Sequence, residues 1–96
     1  MVTSNEPGVY RADKYGIRIE NLIVSQEYER TKEFGTFYNF ETITLCPIDT
    51  TPIVKKMLTK QERKWLNSYH KMVFKKLKDY LSNHEIAWLK EKTKSI

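Results

Sequence analysis

Ninety-six residues, 40% hydrophobic and 12% aromatic, with three glycines and three prolines, make one small globular domain or a piece of a larger one, not a disordered chain. No stretch reaches the roughly 20 apolar residues of a bilayer span, no leader segment opens the sequence, and the single Cys46 excludes an internal disulfide, so a membrane protein or disulfide-stapled secreted domain is not expected and a reduced, cytoplasmic setting is. The formal charge of +5 is uneven: residues 1–54 carry five basic and eight acidic side chains, residues 55–96 twelve basic and four acidic.

Residues 1–6 read as a short strand and Pro7–Lys14 as a connection, with Gly8 and Asp13 as turn formers. Tyr15–Val24 reads as a second strand. Ile17, Ile19, Asn21 and Ile23 share one face, and Arg18, Glu20, Leu22 and Val24 the other. Both faces are largely apolar, which predicts a central strand and a half-buried Glu20. If the two runs pair antiparallel, the turn falls near Asp13, midway between Glu6 and Glu20. The two carboxylates then face each other, with Cβ atoms roughly 5 Å apart. Like charges so placed repel, and a divalent cation relieves the repulsion because carboxylate oxygens are hard ligands.

Ser25–Gly35 is polar and charged and reads as a solvated loop. Thr36–Ile48 is rich in Thr, Ile and aromatic residues and reads as a third strand ended by Pro47. Asp49–Pro52 is a linker. Thr59-Lys60-Gln61-Glu62 is a capping box that opens a helix. Its apolar residues at positions 65, 66, 69, 72, 73, 77, 80 and 81 form a helical stripe, so the helix is expected to run to about Leu81. Ser82 or Asn83 caps a shorter helix with Ile86 and Leu89 inward and Trp88 over a neighbouring surface. The order predicts an α+β chain: antiparallel strands, then two C-terminal helices.

Four segments together resemble a known family: Ser4-Asn5-Glu6-Pro7-Gly8, Gly16-Ile17-Arg18-Ile19-Glu20-Asn21, Phe40-Glu41-Thr42-Ile43-Thr44-Leu45 and Trp65-Leu66-Asn67-Ser68-Tyr69-His70. In this order they look like the C-terminal end of the cytosolic Xaa-Pro aminopeptidases of the M24 metallopeptidase family. The resemblance implies a C-terminal fragment of a pita-bread fold, with residues 1–50 as the last strands of the catalytic domain and 51–96 as its helical extension. It implies two divalent metal ions, usually manganese, with Glu6 binding one and Glu20 bridging both. A metal-bound water would then attack the bond before a proline in the second position of a peptide. Arg18 and Tyr10 look like groups that orient the metal ligands from behind. The family's Asp, Asp and His ligands have no counterparts here. The resemblance therefore implies a segment that is inactive alone and belongs to a homodimeric hydrolase.

Several residues carry plainer readings. Glu41 is expected to have a structural hydrogen-bonding role rather than a ligand's, and His70 to be a packed or exposed structural residue. Cys46 is expected to be a small core residue, and Trp65, Tyr69 and Trp88 core or interface anchors. Two rivals stand beside the peptidase reading: a noncatalytic interaction or dimerisation module, and a nucleic-acid-binding domain built on the lysine-rich helices. The lysines spread around the polar face and match no nucleic-acid motif, so neither nucleic acid nor membrane is expected as a partner.

Overall fold

The computed structural model describes residues 1–32 and 35–96. The chain divides into two compact units, Met1–Thr44 and Leu45–Ile96.

The first unit holds five strands: β1 (Val2–Asn5), β2 (Gly8–Arg11), β3 (Tyr15–Arg18), β4 (Asn21–Thr31) and β5 (Gly35–Thr42). β4 is central in an antiparallel sheet of order β1-β4-β5, and β2 and β3 form a separate hairpin. The β1–β4 register runs from Val2↔Val24 to Asn5↔Asn21, and the β2–β3 register continues from Gly8↔Arg18 to Arg11↔Tyr15. All these pairs are centred on Asp13, where the turn was expected. Asp13 has φ 57°, a left-handed conformation that a short polar side chain tolerates. The Lys14 N–H closes the turn on the Arg11 carbonyl at 3.0 Å.

Four expectations about the strands need correction. Pro7–Lys14 is not merely a connection, since Gly8–Arg11 is paired as β2. Tyr15–Val24 is not one strand but breaks at Ile19–Glu20. The cause lies opposite: Pro7 has no N–H to give the ladder, so only its carbonyl takes part, accepting from Ile19 N–H at 3.1 Å. Nor is Ser25–Gly35 a loop. β4 runs on to Thr31 and pairs with β5 out to Thr31↔Gly35, with an irregularity between Glu27 and Glu29. The ladder's hydrogen bonds outweigh polar composition here, because Gln26, Glu27, Glu29 and Arg30 keep their side chains in water. Glu33 and Phe34 of that expected loop lie outside the described residues. The third strand stops at Thr42 rather than Ile48, because its partner strand β4 begins at Asn21; a last bond joins Ile43 N–H to the Leu22 carbonyl at 2.9 Å.

The second unit carries its own core. A 3-10 turn (Lys55–Met57) precedes α1 (Lys60–Leu77); a second 3-10 turn (Lys78–Tyr80) leads to α2 (Asn83–Lys92). Both helices open on complete capping boxes, Thr59 with Glu62 and Ser82 with Glu85. Tyr69, Val73 and Leu89 form the buried cluster, with Ile48, Met72, Phe74, Leu77 and Leu81 packed against it. Ile86 is half-buried, and Trp88 remains 57% exposed. Asn67 pins the C-terminal residue twice, accepting from Ile96 N–H at 3.0 Å and donating to its carbonyl at 3.3 Å. Among the described residues no helix is long and apolar enough to cross a membrane.

Cys46 is a further correction: it is exposed, not a core residue. Its backbone is what the fold holds. The Tyr69 hydroxyl donates to the Cys46 carbonyl at 2.6 Å and accepts from its N–H at 3.4 Å. The anchors divide similarly. Tyr69 is buried, whereas Trp65 stacks on it, 5.3 Å between ring centres, with its outer face in water.

Candidate functional site

The break between the two registers is where Glu6 and Glu20 sit. Arg18, the last residue of β3, joins them. Its Nη1 lies 3.3 Å from Glu6 Oε1 and its Nη2 lies 3.2 Å from Glu20 Oε1. One guanidinium thus draws two carboxylates from different segments to a common point. The Ser4 hydroxyl donates to the other Glu6 oxygen. Exposed ion pairs of this kind add little to stability, so the cluster is better understood as arrangement than as glue. The expected half-burial of Glu20 is not found: its side chain is 51% exposed, because the strand ends before it.

Tyr10 completes the cluster. In the β2–β3 register it lies opposite Gly16, on the face that also carries Gly8 and Arg18. A Cβ at Gly16 would come within 2.8 Å of the Tyr10 ring, and one at Gly8 within 2.9 Å of its hydroxyl. Two glycines therefore make room for one aromatic ring. Tyr10 shares this face with Arg18, whose pKa is pushed above its ordinary value by Glu20 first, then Tyr10, with a smaller share from Glu6. Arg18 is a fixed positive charge under all conditions of interest.

The strand that follows is pinned firmly. Asn21 is buried and donates to Thr42 Oγ1 at 3.3 Å, while Leu22 N–H donates to Thr44 Oγ1 at 2.5 Å. A hollow of about 300 Å³ lined by Glu20, Asn21, Leu22 and Thr44 adjoins the second carboxylate.

The geometry thus brings Glu6, Glu20, Arg18 and Tyr10 together. Among the described residues no group of three or more His, Cys, Asp or Glu could hold a metal ion, so these two carboxylates form at most part of a donor set. Glu41 lies on β5 opposite Val24, its side chain exposed and without a hydrogen bond among the described residues, so the structural hydrogen-bonding role expected of it is not found. His70 is fully buried in α1, and His84 is exposed in the first turn of α2. The glycine seat for Tyr10 was legible in principle: Gly8 and Gly16 flank Tyr10 in a register centred on Asp13.

An α+β chain that joins a carboxylate pair at a break between antiparallel strands to two capped helices is a recognisable class, and three comparisons narrow it. Residues 36–96 match the sequence model described as the C-terminal region of peptidase M24, and the chain belongs to that family. It is 43% identical over 100 residues to a probable Xaa-Pro aminopeptidase P of Coprinopsis cinerea, covering 100% of this chain and 16% of the relative. The corresponding protein of Talaromyces marneffei is 40% identical over 99 residues, covering 99% of this chain and 15% of the relative. Among solved structures, the X-prolyl aminopeptidase of Caenorhabditis elegans, described as a cytosolic enzyme with a di-nuclear active site, superimposes with a TM-score of 0.84 at 38% identity. That match covers 99% of this chain and 16% of the worm enzyme. The chain thus spans about a sixth of the length of the curated relatives it matches. Antiparallel strands followed by two C-terminal helices, the fold class expected from the sequence, is the architecture found.

Proposed function

We propose that this chain is the C-terminal segment of a dinuclear-metal Xaa-Pro aminopeptidase, in which Glu6 and Glu20 are two of the metal ligands. The observation that carries this reading is the convergence of both carboxylates on Arg18, at 3.3 and 3.2 Å. Hard oxygen donors drawn to one point fit a divalent cation, manganese by family resemblance. The Asp, Asp and His donors that complete the set belong to the rest of the polypeptide. When bound, the metals supply a water acidic enough to act as nucleophile at neutral pH, and they polarise the scissile carbonyl.

The roles of this chain's residues follow. Glu6 and Glu20 hold position at the strand break. Arg18 keeps both aimed, and Tyr10, seated on Gly8 and Gly16, keeps Arg18 from swinging away. The pita-bread assignment, with residues 1–50 as the end of the catalytic domain and 51–96 as its helical extension, belongs to the same reading. Its support is the exposed apolar surface of the strands: Val9, Ile17, Leu22, Tyr38 and Phe40 are each at least 45% exposed, more than an isolated sheet carries comfortably. A cytosolic homodimer acting on peptides with proline in the second position completes the proposal. The 96-residue chain alone, with two donors, hydrolyses nothing.

The test is a proline-directed aminopeptidase assay of the intact polypeptide carrying this segment, with Glu20→Gln as the comparison. Activity falling by several orders of magnitude supports the assignment; near-normal activity refutes it.

A further inference from the structure

His70 stands outside the carboxylate cluster, and its environment is unusual. It is 0% exposed in the helical core. Its Nε2 accepts a hydrogen bond from the backbone N–H of Ile48 at 3.1 Å. Its Nδ1 has no hydrogen-bond partner among the described residues. An Nε2 that accepts must be unprotonated, so the ring is the neutral Nδ1–H tautomer. Beside it, Tyr69 grips Cys46 through both its carbonyl and its N–H. Two consecutive residues of α1 therefore peg the Cys46–Ile48 backbone, one through a hydroxyl and one through an imidazole.

The two pegs respond differently to acid. The Tyr69 hydroxyl, whose pKa burial raises, stays protonated throughout. A proton on His70 Nε2 turns the acceptor into a donor that faces another donor, and it places a charge where no water reaches. No charged group of the surrounding elements acts measurably on the ring. Cys46 and Asp49 lie on the pegged segment, and Glu91 and Lys92 of α2 line a hollow together with Ile48 and Asp49. Lys71 follows His70 on α1. None of them contributes to the proton affinity of His70, which burial lowers and the backbone hydrogen bond with Ile48 raises by less.

We propose that His70 is an acid-released latch: the neutral imidazole holds Ile48 against α1, and its protonation frees the Cys46–Ile48 segment while α1 stays folded. The sign follows from linkage. A histidine that takes up its proton less readily when folded stabilises the closed form fully above its unfolded value of about 6.5 and progressively less as pH falls. Closure therefore weakens by up to about tenfold per pH unit below that point.

The experiment is residue-resolved amide hydrogen exchange on the 96-residue chain between pH 7.5 and 5, corrected for intrinsic rates, together with nitrogen shifts of the His70 ring. The latch predicts an Nδ1–H tautomer at pH 7.5. It also predicts protection at Ile48 that falls about tenfold per pH unit below 6.5, with α1 amides unchanged. In His70→Gln, whose side-chain oxygen can accept from Ile48 but cannot titrate, protection at Ile48 should be flat. An Nε2–H tautomer, an imidazolium at neutral pH, pH-independent protection at Ile48, or a parallel loss along all of α1 overturns the proposal. Should His70→Gln fail to fold, the tautomer and the exchange profile of the unaltered chain still decide it.

Discussion

Arg18 reaches across the hairpin to Glu6, Nη1 to Oε1 at 3.3 Å, from a position twelve residues downstream of that carboxylate. The same guanidinium holds Glu20 through its second nitrogen. A planar fork can serve two carboxylates at once, and a lysine ammonium on a flexible stem cannot fix both directions. Arg18→Lys in the intact polypeptide is therefore expected to weaken metal binding about 10- to 100-fold, the usual cost of losing an outer partner of a metal ligand. Calorimetric titration with manganese checks this; unchanged affinity would show that Arg18 plays no orienting part.

The glycine seat makes a graded prediction. Gly16→Ala places a methyl group 2.8 Å from the Tyr10 ring, which can tilt aside. Gly8→Ala places one 2.8 Å from the Ile17 carbonyl oxygen, which is backbone and must move with its strand. Gly8→Ala should cost the more, about 1–3 kcal/mol against less for Gly16→Ala, as for other overpacked sites. Thermal unfolding of the intact polypeptide orders the two, and the reverse order contradicts the geometry.

How much of this was legible in the sequence differs from element to element. The hairpin register was readable because Glu6 and Glu20 are equidistant from Asp13, and Asp is among the few residues at ease with positive φ. The starts of both helices were readable, from the Thr59-x-x-Glu62 capping box and from Ser82 or Asn83 as the second cap, but α1 stops at Leu77 rather than about Leu81, where a 3-10 turn carries the apolar stripe on. The extension of β4 through Gln26–Thr31 was not, because a ladder exposed to water leaves no hydrophobic alternation to see. The exposure of Cys46 was also hidden: the fold buries its backbone partner Tyr69, and nothing in Leu45-Cys46-Pro47 signals that division. For the site, the two glutamates stood out, whereas their junction at Arg18 depends on Pro7 interrupting the ladder opposite Ile19.

Leu89 and Trp88 are neighbours with opposite environments, 1% and 57% exposed. Leu89→Ala is expected to destabilise the helical unit by about 2–5 kcal/mol, through lost transfer energy and a cavity. Trp88→Ala should cost much less in the isolated chain. Helical circular dichroism during denaturation compares the two, and equal losses would mean that Trp88 is packed in solution.

The caps give a pH signature separate from that of His70. The Glu85 carboxyl is held below its ordinary 4.5, chiefly by hydrogen bonds from the Ser82 hydroxyl and backbone N–H. A carboxylate with a depressed pKa contributes stability that is present above its unfolded value and lost as pH falls through the folded one. Helicity of α2 should therefore decline below about pH 4.5, and Ser82→Ala should flatten that decline while costing about 1 kcal/mol at neutral pH. Acid titration of both proteins by circular dichroism is the check; identical profiles would contradict the capping account.

The central claim is that Glu6 and Glu20 are metal ligands, and the most direct measurement is metal content. The intact polypeptide, purified in manganese, should hold two ions per chain. Glu20→Gln should lose occupancy and proline-directed activity together. Two fully retained ions in Glu20→Gln, or none in the unaltered polypeptide, would contradict the account.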